Sequence, residues 1–217
     1  MSRKGKRGDN TPKPLHRKVL VFRCAYKTDM PGDCDGEGDF YLAEYDGELF
    51  VSLEDDLDDE EYPAGQARLF ILNADAAEND GESLFDILDL RGETAALIPL
   101  IGQEAGNFSP ALCKMLGEEM AFCRNMLILD RLEILPQFRG QQLGLRFIRA
   151  AIARFGMGCR IVVIKPFPLQ FEGKLDDRNK DEYRKATDKL RKYYARAGIK
   201  PLRGTDLMIL DLYKLRS

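Results

Sequence analysis

The segment at residues 132–145, LEILPQFRGQQLGL, combines residue types and spacing that could bind an anionic ligand. A strand-like pattern runs to Pro136, and a turn with Arg139 and Gly140 leads into a helix that begins near Gly144. A glycine-containing turn at a helix N-terminus presents several backbone N–H groups, and the helix dipole adds about half a positive charge there. The segment therefore predicts a pyrophosphate site, although a tight structural turn would use the same residues.

The same turn resembles the acetyl-coenzyme A signature of the GNAT N-acetyltransferase superfamily. That signature is Arg or Gln, two residues, Gly, one residue, and Gly or Ala, after a strand that ends with a proline. Arg139 and Gly144 match it, and Gly140 matches a frequent Arg-Gly opening. Gln142 departs from it, because the family has a glycine there that lets the backbone approach the pyrophosphate. We therefore expect Gln142 either to point outward or to adopt a backbone conformation that L-residues rarely take.

A second family feature is an aromatic pair followed after three residues by Gly and a hydrophobic residue, and residues 193–199 match it. In GNAT enzymes the second aromatic residue is commonly a tyrosine whose hydroxyl protonates the departing thiolate of coenzyme A. The resemblance implies this role for Tyr194. The alternative is that Tyr194 is a core residue of its helix, with its hydroxyl at the surface.

The mechanism that the resemblance implies is direct attack of an amine on the thioester in a ternary complex, without a cysteine nucleophile or a histidine. The attacking amine must be neutral, so a carboxylate or an ordered water has to accept its proton. Asp130 and Glu133, on the strand before the turn, are the candidate carboxylates. Their odd separation predicts opposite faces of an ideal strand, unless a bulge intervenes. For either residue the alternative is an exposed position or a salt bridge with Arg131.

The resemblance also implies which residues bind acetyl-coenzyme A as the cosubstrate. Backbone groups of Ile134 and Leu135 would pair with the pantetheine arm, because its extended amide chain can pair with a strand edge. The phosphates would be bound by the turn and the start of the helix, which comprise Arg139, Gly140, Gln141, Gln142, Leu143, Gly144 and Leu145. The mechanism requires no metal. Further along, Phe167 and Phe171 either wall an acceptor pocket or pack within their own loop.

The composition excludes several other kinds of site. Among 217 residues the one histidine is His16, in a basic leader, which excludes a histidine triad and a histidine-rich zinc site. Five cysteines are an odd number without the spacing of a zinc knuckle or redox motif, which favours reduced thiols. The net charge of −3 argues against a nucleic-acid partner. No apolar stretch approaches the roughly 20 residues of a spanning helix, so we expect a cytoplasmic protein that does not bind membranes.

The elements that must position these residues follow a strand–helix–strand–helix order in the C-terminal half. Residues 126–135 and 159–164 are strand-like, and residues 144–155 and 181–197 carry apolar side chains at helical spacing. Residues 206–213 provide a last strand. This order predicts a parallel crossover.

The N-terminal half is less similar to the family. Residues 1–18 are basic and rich in Gly and Pro, which predicts a flexible tail before a single domain at residues 19–217. Between two strand-like runs, Asp46-Gly47 predicts a β-hairpin with a type I′ turn. The acidic block at residues 54–61 predicts a solvated loop. Helix-like pieces follow only later, whereas the family places two helices between its first two strands.

Together these features predict an α/β protein with a mixed α+β sheet, and the resemblance implies a GNAT-like acyl-CoA N-acyltransferase fold with a divergent N-terminal half. The implied function is transfer of an acetyl or related acyl group to a primary amine on a small molecule, peptide or protein. The alternative, which Gln142 favours, is a GNAT-like domain without turnover that binds coenzyme A or a protein partner. A third option is a different acyl donor. The sequence leaves the oligomeric state open, including a homodimer.

Overall fold

The computed structural model describes residues 18–27, 39–53, 61–102, 108–117, 123–176 and 178–216. Its strands are β1 (Lys18–Lys27), β2 (Leu42–Leu53), β3 (Glu61–Leu72), β4 (Met126–Ile134), β5 (Ile161–Ile164), β6 (Lys200–Pro201) and β7 (Met208–Asp211). Its helices are α1 (Ala74–Asn79), α2 (Leu84–Asp89), α3 (Gly92–Ala95), α4 (Pro110–Leu116), α5 (Leu143–Phe155), α6 (Lys180–Ala195) and α7 (Tyr213–Arg216). The predicted tail, apart from its last residue, and the acidic block, apart from Glu61, lie outside the described residues.

The strands form one mixed sheet in the order β1-β2-β3-β4-β5-β7-β6. Strands β1 to β4 pair antiparallel in sequence order. Strands β4 and β5 pair in parallel, and α5 connects them. Strand β7 is antiparallel to both β5 and β6. The predicted mixed sheet and its parallel crossover are therefore confirmed.

Both faces of the sheet carry apolar side chains, and helices pack against each face and bury them. The face beneath α1 to α4 has a core that includes Phe70, Leu72, Leu84, Ile87, Leu112, Met126 and Ile128. The face beneath α5 and α6 has a second core that includes Leu69, Leu127, Leu129, Phe147, Ile148 and Tyr194. The structure is therefore a three-layer arrangement with the sheet in the middle.

The predicted hairpin at Asp46-Gly47 is wrong, because β2 runs through this dipeptide as one continuous strand. Gly47 lies opposite Cys24 of β1 in the middle of the ladder. A Cβ atom at Gly47 would lie 2.0 Å from the carbonyl oxygen of Arg23. The glycine therefore serves the close approach of a neighbouring strand rather than the positive φ of a turn.

Strand β4 contains a bulge that changes which side chains face each side of the sheet. The register with β3 shifts between Leu129 and Arg131, so that Asp130 is the extra residue. Before the bulge, Leu129 packs in the core beneath α5; after it, Leu132 and Ile134 pack against that same core. One inserted residue therefore shifts the alternation of the strand by one position.

The bulge also corrects the prediction that Asp130 and Glu133 point to opposite faces. Asp130 accepts a hydrogen bond from Arg68, and Glu133 accepts one from Gln66. Gln66 and Arg68 are two positions apart on β3, so their side chains leave the sheet on one face. The two carboxylates therefore share that face.

Candidate functional site

A cleft of about 960 Å³ opens where strands β4 and β5 stop pairing. The parallel ladder ends at Leu129 and Ile164, whereas β4 continues to Ile134. The cleft lies between this continuation of β4, the start of α5, the loop around Phe167, and α6. We call it the β4–α6 cleft, and its volume lies in the range of small-molecule sites.

The β4–α6 cleft brings together most of the site residues that the sequence predicts. Those that line it are Glu133, Ile134, Arg139, Gly140, Gln142, Leu143, Gly144 and Tyr194. Four predicted residues are not among its lining, namely Asp130, Leu135, Gln141 and Leu145. Residues from a strand, a turn and two helices therefore meet at one surface.

The turn before α5 accommodates Gln142 through an unusual backbone conformation. Gln142 adopts φ 58° and ψ 15°, the left-handed conformation, and Gly140 has φ 78°. Within the described part of the chain, Gln142 is the one non-glycine residue with positive φ. Its side chain is exposed and forms no cap on the helix. Of the two outcomes expected of Gln142, the unusual backbone conformation therefore occurs, and the residue still borders the cleft.

The first turn of α5 is capped by Tyr193 of α6. The backbone N–H of Leu145 donates a hydrogen bond to the Tyr193 hydroxyl at 2.9 Å. A Cβ atom at Gly144 would lie 2.7 Å from that hydroxyl, so glycine at this position permits the contact. Burial raises the pKa of Tyr193. The sequence contained Tyr193 in the aromatic pair, but nothing in the pattern indicated a capping role.

Tyr194 lies in the core beneath α5 and also borders the β4–α6 cleft. It is 7% exposed, and its ring packs against that of Tyr193 at 5.8 Å between centroids. Burial raises the pKa of Tyr194 to about 12, so the hydroxyl stays protonated at neutral pH. Its hydroxyl makes no hydrogen bond with any residue that the structure describes. Tyr194 is thus a core residue that also borders the cleft.

Asp130 belongs to an ion-pair network on β3 and β4. Its carboxylate lies 2.7 Å from Nε of Arg68, and Arg68 lies 3.1 Å from Glu93 of α3. Burial raises the pKa of Asp130, and the hydrogen bond from Arg68 opposes this rise. Asp130 therefore has the salt-bridge role that the sequence offered as its alternative, with Arg68 rather than Arg131 as the partner.

Glu133 borders the β4–α6 cleft, and its side chain lies on the same face of the sheet as Gln66 and Arg68. It is half-buried, and its Oε2 accepts a hydrogen bond of 2.8 Å from the Gln66 side chain. Among the described lining residues it is the one with a carboxylate. A carboxylate held by a neutral donor, beside an open cleft, can accept a proton from a ligand.

Four cationic side chains give the cleft a positive lining: Arg131, Arg139, Lys189 and Arg196. Arg139 donates from Nε to the carbonyl oxygen of Ile134 at 2.8 Å, so this carbonyl is already engaged. Arg131 forms a two-pronged ion pair with Glu172, at 2.8 and 3.2 Å. The sequence did not single out Lys189 or Arg196, because basic residues on a helix are usually solvated. A positive cleft with apolar walls suits a ligand with phosphates and an extended apolar arm.

The loop after β5 packs against α6. Phe167 and Phe171 both contact the ring of Tyr183, at 5.9 and 5.6 Å between centroids. Phe167 also lines the cleft, whereas Phe171 is not among its lining residues. Of the two residues, Phe167 therefore borders the cleft as well as packing on Tyr183, whereas Phe171 only packs on Tyr183.

Across the described ranges, no group of three His, Cys, Asp or Glu side chains is placed to hold a metal ion. The described helices include none with the length and apolar character needed to cross a membrane.

Comparison of the chain with protein-family models, with curated proteins and with solved structures gave no match. The function therefore has to be inferred from the residues and geometry of the β4–α6 cleft.

Proposed function

We propose that the protein is a GNAT-type N-acyltransferase that moves an acetyl or related acyl group from acetyl-coenzyme A to a primary amine. The observation that supports this proposal is the β4–α6 cleft. It combines a helix N-terminus, the end of a strand that has lost its parallel neighbour, and the buried hydroxyl of Tyr194. In the proposed complex the helix N-terminus binds phosphate, the unpaired end of β4 pairs with the amide chain of the coenzyme, and Tyr194 donates a proton.

Coenzyme A fits the distribution of charge and apolar surface along the cleft. The start of α5 offers backbone N–H groups and a positive dipole end to the diphosphate. Arg139, Lys189 and Arg196 add positive charge around it. The pantetheine arm would lie along β4 beyond Leu129, where β5 no longer pairs. Because Arg139 engages the Ile134 carbonyl, the arm would use backbone groups that precede Ile134.

The chemistry needs one carbon–nitrogen bond to form and one carbon–sulfur bond to break. The amine nitrogen attacks the thioester carbonyl, and its proton passes to Glu133 or to a water beside it. The thiolate of coenzyme A leaves and takes a proton from the Tyr194 hydroxyl. Tyr194 lies on the α5 side of the sheet and Glu133 on the other side, and both residues border the cleft where β4 and β5 have separated. The proposal therefore requires the ligand to reach both groups through this separation.

A second candidate function is a coenzyme-binding module without turnover, and the pKa of Tyr194 favours it. A tyrosine with a pKa of about 12 is a weaker acid than a thiol, whose ordinary pKa is about 8.5. Proton transfer from Tyr194 to the thiolate would therefore be uphill. In this case the cleft would bind the coenzyme, and a partner protein would distinguish the coenzyme-bound form from the free form.

Calorimetric titration with acetyl-coenzyme A, followed by a thiol-release assay over a panel of primary amines, tests the proposal. We expect binding and release of free thiol with at least one amine. Binding without thiol release on any amine would favour the module, and no binding at millimolar coenzyme would refute both functions.

The role of Tyr194 is tested by Tyr194→Phe, with Tyr183→Phe on the same helix as the matched control. We expect the Tyr194 variant to release thiol about 10- to 1,000-fold more slowly, while its affinity for acetyl-coenzyme A stays unchanged. The Tyr183 variant should keep both properties. Equal turnover of the two variants would remove the acid role from Tyr194 without affecting the proposed reaction.

A further inference from the structure

The N-terminus of α5 has an unusual cap, because its own N-cap residue does not supply one. Gln142 is in the left-handed conformation, and its side chain makes no hydrogen bond to the first turn. The backbone N–H of Leu145, which an N-cap side chain commonly binds, donates instead to the Tyr193 hydroxyl at 2.9 Å. A residue from another helix therefore occupies the capping position.

The Tyr193 hydroxyl has a proton left to donate. A phenolic hydroxyl can accept and donate at the same time, and this one already accepts from Leu145. No acceptor for its proton is present among the residues that the structure describes. Tyr193 is half-buried and lines the β4–α6 cleft. Its remaining hydrogen bond is therefore available to a ligand in that cleft.

The surroundings of this hydroxyl indicate an anionic acceptor. It lies at the positive end of a 13-residue helix. The guanidinium of Arg196 lies over the Tyr193 ring, 6.0 Å from its centroid, and Arg196 also lines the cleft. Next to it, Tyr194 is a second hydroxyl-bearing side chain, more than nine-tenths buried, that borders the cleft without a hydrogen-bond partner in the described structure.

We propose that Tyr193 is a ligand-binding residue whose hydroxyl donates a hydrogen bond to a phosphate oxygen of an organic diphosphate. The Leu145 amide polarises this hydroxyl, so one N–H of the helix acts on the phosphate through Tyr193 rather than directly. Gly144 permits this contact between Tyr193 and the first turn of α5, because any side chain at position 144 would collide with the Tyr193 hydroxyl. The proposal rests on the proposed function, since coenzyme A supplies the diphosphate.

The test compares coenzyme A with pantetheine, which lacks every phosphate, by calorimetric titration of the full chain. For Tyr193→Phe we expect the affinity for coenzyme A to fall about tenfold or more, as for loss of a hydrogen bond to a charged group. The affinity for pantetheine should stay within twofold. Tyr183→Phe removes a hydroxyl from the same helix away from the α5 terminus and should leave both affinities unchanged.

A second variant displaces the same hydroxyl from the other side of the contact. Gly144→Ala would place a Cβ atom 2.7 Å from the Tyr193 hydroxyl and should also weaken coenzyme A selectively. When combined with Tyr193→Phe, it should add little further loss, because the group it displaces is already gone.

Three results would overturn the proposal. Unchanged affinity of Tyr193→Phe for coenzyme A would show that the hydroxyl does not contact the ligand. An equal loss for coenzyme A and pantetheine would show that it only supports the shape of the cleft. Absence of coenzyme binding in the unmodified chain would refute the proposed function and this inference with it, whereas binding without turnover would leave the inference standing.

Discussion

Gln142→Gly should make the protein more stable, although it removes a side chain and replaces it with the most flexible residue. The left-handed conformation costs an L-residue about 1–2 kcal/mol, and Gln142 adopts it at φ 58°. Glycine loses this strain but has more unfolded-state entropy to give up, about 0.5–1 kcal/mol. Because the Gln142 side chain is exposed and forms no cap on α5, its removal costs little else.

The difference between the midpoints of these two ranges gives Gln142→Gly a net gain of about 0.75 kcal/mol, which corresponds to a rise in Tm of roughly 1.5–3 °C for a chain of this size. Thermal and urea unfolding, followed by circular dichroism, would measure it. Gln142→Ala is the matched control, because alanine removes the side chain but keeps the strain, so no gain is expected. Gln141→Gly should lose about 0.5–1 kcal/mol, since Gln141 has no positive φ to relieve.

The outcome that would refute this reasoning is a lower Tm for Gln142→Gly, or an equal rise for Gln142→Ala. The first would show that the left-handed backbone is not strained in this turn. The second would show that the side chain itself, rather than the backbone, destabilises the native state.

Three further predictions concern stability. The pKa of Tyr194 is about 12 in the folded chain against an ordinary 10, because burial opposes ionisation, so the folded state loses stability as the pH rises from 10 towards 12. The free energy of unfolding of the unmodified chain, relative to that of Tyr194→Phe, should fall by about 1 kcal/mol per pH unit in that window, as measured by urea unfolding. Gly47→Ala should lower the free energy of unfolding by more than about 2 kcal/mol, because the new Cβ would lie 2.0 Å from the Arg23 carbonyl oxygen. A loss of only about 1 kcal/mol would contradict the close approach of the two backbones at Gly47. Arg160 and Asp211 form a buried ion pair at 3.2 Å, so Arg160→Met should lower the free energy of unfolding by about 3–5 kcal/mol in the same assay. A neutral result would mean that Lys214, 3.5 Å from Asp211, is sufficient to compensate its charge.

The sequence located the elements of the C-terminal half well, because their signals are local. The predicted strand at residues 126–135 corresponds to β4, and the predicted helices at residues 144–155 and 181–197 correspond to α5 and α6, with ends within two residues. Helical spacing of apolar residues does not depend on what the helix packs against. The cap of α2 is also local, since the Ser83 hydroxyl accepts a hydrogen bond from the Asp86 N–H three residues later.

The hairpin prediction was wrong because a glycine after an aspartate can be required for two different structural reasons. A glycine after an aspartate suits a type I′ turn, but a glycine is also needed where two backbones come close. The contact that requires Gly47 is with Arg23, more than twenty residues earlier in the chain. The spacing of residues around position 47 carries no information about that neighbour.

The candidate site was predictable in its residues but not in its arrangement. The turn and the aromatic pair indicated Gly144 and Tyr194, and the structure brings both to one cleft. Which face of the sheet the Asp130 and Glu133 side chains occupy depends on the pairing register between β3 and β4. That register is a property of two strands rather than one. The hydrogen bond between Tyr193 and Leu145 depended on how closely two helices pack.

The extra residue in β4 separates one strand into two parts with different constraints. Met126 to Leu129 are buried and paired on both sides, whereas the residues from Asp130 to Ile134 are half-buried and have lost their parallel neighbour. Substitutions in the first part must satisfy two packed cores, whereas those in the second meet one core and the surface of the β4–α6 cleft. Tolerance to mutation should therefore change abruptly at position 130, with the outer part of β4 accepting more substitutions than the inner part.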